Sequence, residues 1–208
     1  MAGVDPRDVA LQASCPVVAM PKFSQLPEMC SGQRLILARN GVFVHFANPW
    51  LQCTVLAGEL DTCLSLPFGE HQESVSFSFG VLPLTMLQQF VEEGRRALPN
   101  EAAGALVFDC DSQRLSLRMH ESIDRSMAHI RYRIDPLGPN ELLAVDLHTH
   151  GRLPAFWSRQ DDLDDMGVRV CGVFGNLDRE EPTAQFRLVV NGLRRDLPCP
   201  WRAGEGGR

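Results

Sequence analysis

The stretch Leu142-Leu143-Ala144-Val145-Asp146-Leu147-His148-Thr149-His150, continued by Gly151-Arg152-Leu153-Pro154-Ala155-Phe156-Trp157-Ser158-Arg159-Gln160-Asp161, decides how this chain reads. Its first half is mostly apolar and is bounded upstream by Pro136, Gly138 and Pro139, the pattern of a buried strand. Residues two apart on a strand share a face, so His148 and His150 can close on one ion. Ser158 suits a helix N-cap and Asp161 its N3 position, which turns that carboxylate back toward the strand end.

Two imidazoles and one carboxylate form the ligand set of a catalytic zinc, which keeps a further position open for water. Such a site needs a base to handle the proton. Upstream, Glu101 in Pro99-Asn100-Glu101-Ala102-Ala103-Gly104 is the best candidate, at the head of an apolar run to Phe108 that reads as a second strand.

Together these residues resemble the JAMM or MPN+ metalloproteases, the Mov34/PAD-type and prokaryotic JAB group. The signature of that group is an upstream Glu, then His-x-His, seven residues, Ser, two residues and Asp, filled here by Glu101, His148, His150, Ser158 and Asp161. The context Pro-x-Glu-x-x-Gly is present as Pro99, Glu101 and Gly104. The resemblance covers roughly residues 82 to 192. It implies that His148, His150 and Asp161 hold Zn2+, that Glu101 is general acid and base, and that Ser158 helps stabilise the oxyanion. Two positions depart from the pattern: Gly151 replaces the Pro that commonly follows His-x-His, and Trp157 stands where Pro often precedes the Ser. Both lie in the loop that lines the substrate channel. The whole chain also resembles the JAMM proteins of PRTRC plasmid cassettes, which are encoded beside a ThiF-like (E1-like) activating enzyme and a small ubiquitin-like protein. That implies a substrate cleaved at a peptide or isopeptide bond after a ubiquitin-like tail.

Each element also has a plainer reading. Ser158 to Asp161 is an ordinary capping box with Asp in place of Glu, and first-turn acids favour any helix. A His-x-His pair can be a satisfied pair on a strand. Glu101 can be a solvated turn residue. Asp146 shares a strand face with His148 and could accept an imidazole N–H, or could pair with an arginine. Asp162, Asp164 and Asp165 read as a solvated acidic helix face. The conjunction favours the metal, since the plainer readings must explain a strand pair, a cap and an upstream Glu separately. His45, His71, His120 and His129 have no partner at metal-ligand spacing. An Asp-x-His-x-His opening, Asp146 to His150, also begins PHP-type phosphoesterases and amidohydrolases, but no histidine follows His150 to complete their ligand set. A cytidine-deaminase-like zinc site needs Pro-Cys-x-x-Cys, and no Cys-x-x-Cys occurs.

At 208 residues, with 44% apolar and 22% charged content, the chain has room for one domain or two small ones. A formal charge of -6 argues against nonspecific nucleic-acid binding. No window reads as a membrane span or as a signal peptide, so a cytoplasmic protein with no membrane partner is expected. Seven cysteines, at 15, 30, 53, 63, 110, 171 and 199, lack a framework spacing and suit reduced thiols.

Three segments follow: an irregular leader and β-rich N-terminal subdomain over 1–81, a JAMM/MPN+-like domain over 82–200 and a flexible Gly-rich tail over 201–208. In the first, Asn40-Gly41 between two apolar runs predicts a hairpin closed by a type I′ turn. The alternation Val75, Phe77, Phe79, Val81 predicts a half-buried strand. From Pro83, Leu84, Leu87, Val91, Gly94 and Leu98 predict an amphipathic helix stopped by Pro99. Strands are expected near 102–109, 114–120, 129–134, 142–150, 168–175 and 184–190, with a short helix from Ser158. The fold class expected is α+β (α/β-like), a mixed central sheet with flanking helices, which the resemblance implies is JAMM/cytidine-deaminase-like. The rival to a hydrolase is a non-catalytic JAMM-like binding module in a plasmid maintenance system.

Overall fold

The computed structural model describes residues 4–60, 65–125, 130–133 and 136–200. The expected tail with its Gly206-Gly207 pair, Cys63, His129 and part of the strand expected near 129–134 lie outside the described residues. The chain divides into two compact units, Met1–Gly80 and Val81–Arg208.

In the N-terminal unit, the leader is not wholly irregular. It opens with α1 (Pro6–Ser14), in which the Asp5 side chain caps Arg7 N and Pro6 occupies the first helical turn, where its missing N–H costs nothing. A mixed five-stranded sheet follows in the order β1 (Val17–Ala19), β2 (Gly32–Ala38), β3 (Gly41–Ala47), β4 (Leu51–Gly58), β5 (Ser74–Phe77). Only β1 and β2 are parallel. Strict alternation in β2 and β3 buries Ile36, Ala38 and Phe43 under Val18, Met20, Leu26 and Leu56.

The hairpin predicted at Asn40-Gly41 forms, but its turn is not type I′. Pairing resumes at Ala38 with Gly41, and neither Arg39 nor Asn40 has the positive φ that type I′ demands. Contacts with residues 69–71 set the turn instead: Arg39 N donates to Gly69 O, and Asn40 exchanges side-chain hydrogen bonds with the His71 backbone at 2.8 and 3.0 Å. β5 also stops earlier than its alternation suggests. Phe79 leaves the strand to stack with Phe77 and Trp50, and Val81 is exposed.

The C-terminal unit is built on a six-stranded mixed sheet in the order β13 (Leu193–Leu197), β12 (Thr183–Val190), β11 (Val168–Gly175), β10 (Glu141–Thr149), β6 (Ala103–Asp109), β7 (Arg114–Met119). β10 and β11 are its parallel pair. A small hairpin, β8 (Glu121–Arg125) with β9 (Ile130–Arg133), stands apart from this sheet. The helix predicted after Pro83 is α2 (Leu84–Ala97), which buries Leu87, Phe90, Val91 and Gly94 while Leu84 stays partly exposed. Phe90 packs its ring 5.3 Å from that of Phe174 on β11. A Cβ on Gly104 would meet Arg118 O at 2.8 Å and the Phe90 ring at 3.2 Å. The glycine after Glu101 therefore lets helix and neighbouring strand close over β6.

The expected flanking helices reduce to α2 and the short α3 (Arg159–Asp164). This is an α/β fold richer in sheet than the sequence suggests. Cys15, Cys30, Cys53, Cys110 and Cys171 are free thiols, and no described helix is long and apolar enough to cross a membrane.

Candidate metal centre

β10 is apolar because it is central: Ala144, Val145 and Leu147 are fully buried between β6 and β11. Its C-terminal end emerges where the parallel neighbour continues, so the polar residues of His148-Thr149-His150 fall at an end of the sheet, where a ligand can approach. Backbone pairing fixes them there. His150 N donates to Phe174 O at 2.7 Å, and Thr149 N donates to Ala102 O at 2.9 Å. The Thr149 hydroxyl accepts from Ala102 N at 2.9 Å. These Thr149–Ala102 bonds bring Glu101, one residue earlier, to the end of β10, close enough to feel the charge of Asp161. Sequence reasoning passed over Thr149.

After His150 the chain reverses. Gly151 has φ +56°, which proline, locked near −65°, cannot adopt. A proline at this position would therefore force the loop onto a different path. Leu177 N to Gly151 O (2.9 Å) and Asn176 N to Leu153 O (2.7 Å) tie the loop to the end of β11. Ala155 N to Thr183 Oγ1 (2.8 Å) ties it to β12. Phe156, 43% exposed, lies with its ring centroid 4.3 Å from that of His150.

Ser158 is the N-cap of α3 and Asp161 its N3 residue, in a reciprocal capping box. Asp161 Oδ2 accepts from Ser158 N at 2.7 Å, and Ser158 Oγ accepts from Asp161 N at 3.2 Å. The other oxygen, Asp161 Oδ1, lies 3.3 Å from His148 Nε2, which in turn lies 3.2 Å from His150 Nε2. The plain and the functional readings of Asp161 thus coexist on different oxygens of one carboxylate.

Ligand atoms from His148, His150 and Asp161 all lie within 4.8 Å of one another. Nitrogen and oxygen ligands held about 2.05 Å from a tetrahedral zinc stand about 3.3 Å apart. The two measured separations match that edge length. The imidazole atoms also suit a cation chemically: two Nε2 atoms lie near each other, and burial pushes His148 down to about 4 and lowers His150 too, against the pull of Asp161. Neutral imidazoles are the form that binds metal. Glu101 is 8% exposed, and burial, followed by the charge of Asp161, pushes its carboxyl up to about 7.

Of the remaining acids, Asp146 takes its plainer role, pairing with Arg169 at 3.5 Å; burial raises its pKa, opposed by that arginine. The solvated acidic face expected for Asp162, Asp164 and Asp165 forms only in part: Asp162 and Asp164 are exposed, but Asp165 is not. Asp165 is 4% exposed and, like Asp162, is engaged by Arg187 and Arg194. Arg187 carries no sequence signal because no motif surrounds it and both its neighbours, Phe186 and Leu188, are ordinary buried strand residues. His45 is likewise buried, accepting from Arg34 Nε at 3.0 Å in the other unit.

A family model described as prokaryotic homologs of the JAB domain matches residues 83–189. A second, described as a domain of unknown function (DUF2016), matches residues 5–78. No curated protein matches the chain. Among solved structures, the chain is similar to the solution structure of protein DSY2949 from Desulfitobacterium hafniense. That match has 17% identity and a TM-score of 0.41, covering 54% of this chain and 86% of that one.

Proposed function

This chain belongs to the prokaryotic homologs of the JAB domain, and from that premise we propose that it is a zinc-dependent hydrolase of peptide or isopeptide bonds. The observation that carries the reading is the grouping of His148, His150 and Asp161 ligand atoms within 4.8 Å of one another, with His148 Nε2 at 3.2 and 3.3 Å from the other two, and a buried Glu101 close enough to feel the charge of Asp161. His148, His150 and Asp161 would hold the ion. Zinc in such a site acts as a Lewis acid toward a carbonyl and brings the pKa of a bound water to about 7.

The chain's own groups supply the rest. Glu101, buried and near the charge of Asp161, can take a proton from water and return it to a leaving amine; in the metal-free protein its carboxyl is held up to about 7. The Ser158 Oγ accepts from a backbone N–H, and among the described residues no acceptor takes its proton, so the O–H is available to an oxyanion. Phe156 and Trp157 set aromatic rings 4.3 Å from that of His150 and 6.3 Å from that of His148, respectively.

The substrate proposed is a protein or peptide joined to a ubiquitin-like tail, in the setting of a PRTRC-type plasmid cassette with an E1-like activating enzyme, in the cytoplasm. Residues 1–81 and 82–200 would then be an accessory part and the catalytic part. The rival, a non-catalytic JAMM-like module, retains no reason for the buried Glu101. A panel of ubiquitin-like fusions incubated with the zinc-loaded protein tests the proposal. Cleavage by wild type, abolished in Glu101→Gln with zinc still bound, supports it; a zinc-loaded wild type that cleaves none of them favours the binding module.

A further inference from the structure

α3 presents a difficulty. It is six residues long and buries none of its side chains, and so short a helix has no stability of its own. Yet it must hold Asp161 Oδ1 within 3.3 Å of a histidine on β10. A metal ligand set is only as good as the groups that orient it.

The side chain that meets this need is Arg187. It lies on β12 opposite Cys171 of β11, and Cys171 is in turn opposite Asp146 of β10, so its backbone belongs to the same hydrogen-bonded sheet as the two histidines. Only 3% exposed, its guanidinium touches the short helix on both sides of Asp161. Nη1 lies 2.8 Å from Asp162 Oδ1, next in sequence after Asp161. Nη2 lies 2.7 Å from Asp165 Oδ2, at the C-terminal end of α3. Its Cζ lies over the ring of Trp157, the residue just before the Ser158 cap, 3.9 Å from the centroid. Arg194 of β13 adds Nε to Asp165 Oδ2 at 2.6 Å and Nη2 to Asp162 O at 2.6 Å.

We propose that Arg187 is a positioning residue that fixes Asp161, and with it Ser158, against the histidines of β10, and keeps Asp162 and Asp165 from competing for the cation. The inference rests on the metal reading above. It also accounts for Trp157, one of the two departures from the family pattern: the indole offers the face on which the guanidinium stacks, which proline would not. The arrangement needs a planar fork that pairs two carboxylates and stacks at once. Lysine, a point charge, does only part of this.

The test is zinc affinity of the metal-free protein, measured by competition with a chromophoric chelator well below the melting temperature. Wild type, Arg187→Met, Arg187→Lys and Asp162→Asn are compared, each with its circular dichroism. The expected result is a wild-type spectrum with zinc binding weakened about 10- to 100-fold in Arg187→Met. Arg187→Lys should fall between it and wild type. A residue that served stability alone would lower the melting temperature and leave the affinity of the folded protein unchanged. Arg187→Met binding zinc within about twofold of wild type overturns the inference. Should that variant fail to fold, Asp162→Asn decides, since Asp162 is partly exposed and its loss strands no deeply buried charge; affinity within about twofold of wild type there overturns it too. A wild type that binds no zinc sinks the metal reading itself, whereas zinc-binding wild type with unaffected variants sinks only the role of Arg187.

Discussion

Replacing Glu101 with Gln gives a stability signature that can be worked out in advance for the zinc-free protein. Unfolded, a glutamate titrates near its ordinary value of 4.5; folded, burial and Asp161 hold Glu101 up to about 7. Between those values the native state keeps a proton that the unfolded chain has released. Stability from this group is therefore complete below the unfolded pKa and is lost as pH rises through the folded one. The full shift corresponds to about 3 kcal/mol, and partial solvent access reduces it to about 1–2 kcal/mol. Glutamine is neutral at every pH and lacks this term. Between about pH 5 and pH 8, the stability difference should move by about 1–2 kcal/mol in favour of Glu101→Gln. Because two compact units need not unfold together, hydrogen exchange of β10 amides across a urea series, with chelator present, reads the relevant unit. A difference that stays flat over this range, or moves toward wild type, would refute the claim that the carboxyl is buried next to Asp161.

Three further outcomes test other parts of the structure. In Gly175→Ala the new Cβ would sit 2.2 Å from Leu153 O and 2.4 Å from Ala155 N; backbone cannot rotate away, so urea unfolding of the C-terminal unit should show a loss of about 3 kcal/mol. Ser158→Ala removes a helix cap and an oxyanion donor, so stability should fall by about 1 kcal/mol while turnover of the zinc form falls on the order of 10²-fold, with zinc retained. His45 is pushed down to about 4 by burial, then by Arg34 and His71. The unfolded chain takes up a proton there near pH 6.5 that the native state refuses. Melting of the N-terminal unit should therefore shift downward as pH falls from about 6.5 to about 4, and His45→Gln should flatten that slope.

Much of the C-terminal unit was readable because its signals are local. The apolar run into His148 reads as a buried strand and forms one, and the spacing of Leu87, Val91 and Gly94 marks the buried face of α2. Ser158 and Asp161 carry a capping box that sequence alone displays. What escaped was set by distant partners. The turn at Arg39-Asn40 yields to contacts with residues 69–71, overriding the Asn-Gly preference. Other elements were signalled locally but unread: Asn191-Gly192, both at positive φ, precedes β13, Asn48-Pro49 precedes β4, and α1 was announced by Asp5-Pro6, a cap followed by proline that the proline-rich leader obscured. Asp165 reads as a surface acid until Arg187 and Arg194, from two other strands, are seen to enclose it. Charge pairing across long sequence separation leaves no periodic trace.

The central claim is that two imidazoles and one carboxylate grip a zinc ion at the end of β10. Elemental analysis of protein purified without added metal tests it most directly, run beside the variant in which His148, His150 and Asp161 are all alanine. The account predicts about one zinc per wild-type chain and none in the variant. Wild-type protein free of zinc that also fails to take it up on titration, or a variant that retains the full complement, would contradict it.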